Sequence, residues 1–116
     1  MEEKKDSIKI ANKENVMKED DKLVVQLTRE YVFEGKKYSE IDLHGLEDLS
    51  AEDMISANRI LSRNGNTDFL QEMSLEYACV IASKGSDLPI EFYRGLKPRD
   101  AMRVKSRVTG FLYGAE

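Results

Sequence analysis

The chain has 116 residues, 41% of them hydrophobic and 34% charged, with a formal net charge of -4 at pH 7. A domain of this length buries a core without staples, and its one cysteine, Cys79, has no partner for an internal disulfide. No apolar run approaches the roughly 18 residues of a membrane span, and one Cys with one His falls short of a four-ligand zinc site.

Residues 1–21 are rich in Glu, Lys, Asp and Asn without a sustained apolar period, and read as a charged, disordered arm. They lack the apolar centre of a secretory signal, so a cytoplasmic location is expected. Residues 22–113 read as a single domain and 114–116 as a short tail.

From Leu23 the text changes. LVVQLTREYVF has the composition of a strand, and YSEIDL resumes it after EGKK, where Gly35 can take a positive φ. A β-hairpin follows, with a bulge expected because Tyr38, Ile41 and Leu43 do not alternate cleanly.

Beyond His44 and Gly45 the period becomes helical. Ser50 is a natural N-cap with Asp53 three residues on, Ala51, Met54, Ala57, Asn58 and Leu61 form one stripe, and Asn64-Gly65 stops the helix. His44, the only histidine, lies near Asp42, Glu47 and Asp48. Such a cluster could exchange protons or hold a weak metal. No further partner residues accompany it, so it reads as the junction between hairpin and helix.

A second helix is expected from about Asp68 to Ser83, opened by Asn66 or Thr67 and closed at Lys84-Gly85. Leu70, Met73, Tyr77, Val80 and Ile81 share one arc, yet Leu75, Ala78, Cys79 and Ala82 make the opposite side apolar too. This helix is therefore either the centre of the fold or has a face reserved for another chain. Buried among apolar neighbours, Cys79 is a poor nucleophile. A helical turn follows at Pro89 to Arg94 with Pro89 in its first turn. The neighbours Phe92 and Tyr93 cannot share one face of such a turn, so Tyr93 is a candidate interface anchor.

LKPRDAMRVKSRVTGFL reads as the last helix, with Ala101, Val104, Val108, Phe111 and Leu112 on its apolar stripe. Arg99, Arg103 and Arg107 recur every four residues on the other side. That row suits a solvated face, with phosphate contacts or an acidic protein surface as alternatives. From Glu40 to Glu76 nine acids stand against two arginines, whereas seven bases stand against four acids from Tyr77 onward. The fold class is α+β and mostly helical: an N-terminal β-hairpin, three α-helices and a short helical turn. The glycines stand alone, without a phosphate-loop motif, and no cofactor, metal or catalytic residue is expected.

Three phrases, YSEIDLHGLEDLSAEDM after a hairpin, LEYACVIASKGSDLPIEFYRGLKPRDAM and VKSRVTGFL, resemble the small tail assembly chaperones of long-tailed bacteriophages. The resemblance spans roughly residues 23–113 and rests on element order and apolar spacing. It implies a protein that binds the tape measure protein, keeps it soluble in the bacterial cytoplasm and is absent from the finished virion. It also implies self-association and, in a longer frameshifted form, recruitment of the tail tube protein. Candidate contact residues are Leu75, Cys79, Tyr93, Arg99, Arg103 and Arg107. A small nucleic-acid-binding regulator and a structural tail or connector subunit are the competing readings.

Overall fold

A computed structural model describes residues 21–66 and 70–114. Strands β1 (Val24–Phe33) and β2 (Lys36–Asp42) form an antiparallel hairpin. Glu34 and Gly35 turn it with φ of 50° and 79°, the doubly positive geometry that matches the twist of two-residue hairpins. The register runs Phe33↔Lys36, Val32↔Lys37 and Tyr31↔Tyr38, then resumes at Gln26↔Glu40. Leu27 to Glu30 therefore stand opposite Ser39 alone, an enlarged bulge that accounts for the broken alternation of Tyr38 and Ile41.

A 3-10 turn (His44–Asp48) leads to α1 (Ala51–Arg63). The Ser50 N–H donates to the Asp53 carboxylate at 2.9 Å, one half of the anticipated cap. The helix stops at Asn64, before Gly65 with φ 91°.

The second long helix starts later than the sequence suggests. Thr67, Asp68 and Phe69 lie outside the described residues, Gln71–Met73 is a 3-10 turn, and α2 spans Leu75–Ser86. Its N-cap is Ser74, whose hydroxyl accepts from the Tyr77 N–H at 3.0 Å, a stronger start signal than the apolar period around Leu70. Gly85 does not close α2 but lies inside it, and the left-handed residue is Asp87 at φ 62°. Gly85 is there for proximity. A Cβ on Gly45 would lie on top of the Gly85 carbonyl, so the two backbones touch.

Tyr77 through Ala82 are all buried, so α2 is the centre of the fold. Around it pack α1, the His44–Asp48 turn, α3 (Ile90–Arg94) and α4 (Pro98–Tyr113), while the hairpin lies against α4. Pro89 is the N-cap of α3, one position earlier than expected. Burial of Val25, Ile41, Leu43, Leu46, Ala57 and Leu61 with α2, and of Ala101, Val104 and Val108 from α4, makes one continuous core. Each large aliphatic side chain so buried contributes about 1.5–3 kcal/mol over its exposed state.

Two polar ties fix α4 to the outer side of β1. The Thr28 N–H and hydroxyl donate to Asp100 at 2.9 and 3.2 Å. Arg107 donates to the carbonyls of Asp21, Lys22 and Val24 at 3.4, 3.0 and 3.3 Å. The bulge carries Thr28 out to meet a helix that a regular strand would pass by. Residues 1–20 of the expected arm lie outside the described residues, but Asp21 is bonded into the domain, as is Gly114, the left-handed cap of α4. Among the described residues no helix is long and apolar enough to cross a membrane.

Candidate functional site

The histidine cluster is built by the turn that ends β2. The His44 N–H and Nδ1 both meet Asp42 Oδ1, at 2.9 and 2.7 Å, and Nε2 faces Asp21 at 3.0 Å. The hydrogen bond to Asp42 raises the imidazole pKa above its ordinary value, with smaller help from the charges of Asp21, Asp42 and Glu47. The backbone N–H of His44, followed by its side chain, holds the Asp42 carboxyl below the ordinary range. With a carboxylate at each ring nitrogen the doubly protonated imidazole is favoured. The group is exposed and ties the hairpin end to the segment before β1. Among the described residues no three His, Cys, Asp or Glu side chains converge as metal ligands would.

Two of the sequence-designated contact residues are inside the protein. Cys79 is 7% exposed, and burial pushes its thiol pKa up against the opposing influence of Arg94. It presents nothing to a partner. Tyr93 is 1% exposed and is not the external anchor that its neighbour Phe92 suggested. Both aromatics are buried because α3 is enclosed on two sides. Phe92 sits edge-on to Tyr31, Phe33 and Tyr38 at centroid distances of 5.0, 5.3 and 4.9 Å, while the Tyr93 hydroxyl meets Ser86 of α2 at 2.5 Å. Burial drives the Tyr93 phenol pKa up to about 12.

The arginine row is divided. Arg99 and Arg103 are exposed, whereas Arg107 is half-buried and committed to the three carbonyls before and within β1. It serves the fold, and a continuous three-residue contact surface does not exist.

Leu75 is the apolar designated residue that is exposed, at 39% in the first turn of α2. Met73 just before it is also exposed, as are Phe111 and Tyr113 in the last turn of α4. Tyr113 lies close enough to add to the raised pKa of Tyr77, which places the end of α4 beside the start of α2. The Tyr77 phenol is buried there with no hydrogen-bond partner, and desolvation lifts its pKa to about 12. Periodicity places Met73 and Phe111 on apolar stripes. Met73 stands in the 3-10 turn that precedes α2 and Phe111 in the last turn of α4, so both lie at element ends and not on an interior stripe. Ser74, an N-cap residue directly before Leu75, is the signal that would have placed Met73 ahead of the helix.

No family model, curated protein or solved structure matches this chain. Its candidate surface therefore rests on its own geometry: an apolar end of Met73, Leu75, Phe111 and Tyr113, with Leu70 exposed just upstream.

Proposed function

We propose that this chain is a tail assembly chaperone of a long-tailed phage or prophage, which binds the tape measure protein and keeps it soluble while the tail tube assembles. The observation that carries the reading is the exposed apolar end where α2 begins and α4 finishes. Large apolar side chains open to water at adjoining helix ends provide the non-directional attraction that a holding chaperone needs for apolar helical segments. The resemblance of residues 23–113 to that family supplies the identity of the client. The place of action is the host cytoplasm, the protein leaves before the virion is complete, and several copies act on one long client. A longer frameshifted form that meets the tail tube protein belongs to the same reading.

The test is co-expression with the tape measure protein from the same genome. The wild type is expected to hold the client in the soluble fraction and to co-purify with it. Leu75→Asp and Phe111→Asp, both at exposed positions, should keep the fold and lose the client. Undiminished capture by the folded double variant sinks the proposed surface, and failure of the wild type to bind the client sinks the function.

A further inference from the structure

At the opposite end of α4 the bulged part of β1 and the first helical turn enclose an open recess of about 580 Å³, lined by Thr28, Arg29, Lys97, Pro98 and Arg99. Three cations from two separate elements line one space. The ion pairs among the described residues involve only His44 and Arg94, so Arg29, Lys97 and Arg99 have no acidic partner there. Of the acids adjacent in sequence, Glu30 beside Arg29 is exposed and forms no ion pair with the three cations, and Asp100 is 2% exposed with its two oxygens bonded to the Thr28 N–H and hydroxyl. Those two bonds also hold the wall that carries Arg29 against the wall that carries Arg99.

Like charges gathered in this way repel, and no ion pair among the described residues relieves them. An anion between them would, through charge-assisted hydrogen bonds from two planar guanidinium forks and one ammonium. The first turn of α4 adds to the same field, because its N-cap is Lys97, which cannot accept from the open amides. Among the described residues no aromatic side chain lines the recess, so it offers no platform for stacked bases and suits one compact anionic group better than a nucleic-acid strand.

We propose that this recess is a binding site for a phosphate-class oxyanion, held by Arg29, Lys97 and Arg99 between the β1 bulge and the start of α4. It is independent of the apolar end, which lies about 18 Å further along the same helix. Ligand at one end and client at the other are separate events.

The experiment is titration of the full chain with inorganic phosphate at constant ionic strength, followed by amide NMR, with sodium chloride as the control. Saturable shifts centred on Thr28, Arg29, Arg99 and Asp100 are expected. The double variant Arg29→Gln/Arg99→Gln should weaken phosphate by roughly tenfold or more, on the scale of two lost charge-assisted contacts. Arg103→Gln should bind as the wild type does. Equal shifts with chloride, or unchanged phosphate affinity in a double variant shown to be folded by its thermal transition, overturn the proposal. Tighter saturation by succinate overturns the phosphate assignment in favour of a carboxylate site. Preferential binding of a single-stranded oligonucleotide, with shifts running on to Arg103, overturns it in favour of a nucleic-acid surface.

Discussion

Asp100, buried in the first turn of α4, accepts both the backbone N–H and the hydroxyl of Thr28, a residue 72 positions away in the β1 bulge. A buried carboxylate is tolerated because its oxygens are occupied and because the start of a helix favours negative charge. Asp100→Ala removes the acceptors and leaves the Thr28 N–H without its partner. A loss of about 1–3 kcal/mol is expected in urea unfolding. Asp100→Asn keeps one acceptor oxygen and should cost less; equal costs for the two would contradict the role given to these bonds.

Gly45 and Gly85 are a second long-range pair, joined by contact between backbones. Gly85→Ala in an ordinary exposed helix would gain about 1 kcal/mol from propensity. Here the added Cβ would come within 2.5 Å of the Leu46 side chain and 3.0 Å of its backbone nitrogen. Gly45→Ala is worse, since its Cβ meets the unyielding Gly85 carbonyl. Both should lower the melting temperature, Gly45→Ala by more, with a cost on the overpacking scale of about 1–3 kcal/mol or above.

The Asp42 and His44 pair gives stability a pH signature. A raised imidazole pKa contributes stability that is complete below its ordinary 6.5 and fades as pH rises through the folded value. A lowered Asp42 pKa contributes stability present above its ordinary 3.8 and lost as pH falls through the folded value. The melting-temperature advantage of the wild type over His44→Gln should therefore be largest between those ordinary values and shrink as pH rises above 6.5 through the raised folded value. The effect is small because both groups are exposed. NMR titration of the ring in Asp42→Asn should show the imidazole returning towards its ordinary value; no movement would contradict the cause assigned.

Cys79 and Tyr93 distinguish damage to the core from damage to a surface. A disulfide-exchange reagent should leave native Cys79 unmodified and label it at the rate of unfolding, since the thiol is buried and its pKa raised. Tyr93→Ala removes a ring packed at 5.1 Å from Phe92 and the bond to Ser86, and should cost about 3–5 kcal/mol. Any client loss in that variant should track unfolding. Native-state labelling of Cys79 as fast as in urea would refute its burial.

The features legible in the sequence are those set by neighbours in the chain. Gly35 turns the hairpin, Ser50 and Asp53 start α1, Asn64-Gly65 ends it, and Pro98 opens α4. Each depends on a few consecutive dihedrals and one local bond. What escaped depends on distant partners. Nothing near Arg107 announces that three carbonyls at residues 21–24 will take its guanidinium, and nothing near Gly85 announces Gly45. Tyr93 shows the same limit, because adjacency to Phe92 rules out a shared face but not two separate buried faces. Ser74 is a local start signal, whereas the apolar spacing of Leu70 and Met73, both exposed, points to a start upstream of it.

The clamp of Arg107 onto the start of β1 bears on the order of events during synthesis. The hairpin and α1 emerge first, yet the outer side of β1 is completed only by Thr28 meeting Asp100 and by Arg107 meeting residues 21–24. Closing a loop of more than 80 residues is slow compared with hairpin formation, and the chain is made from its N-terminus. Until the last helix leaves the ribosome, the nascent hairpin keeps an open edge, and the finished domain shuts it with its own final turns.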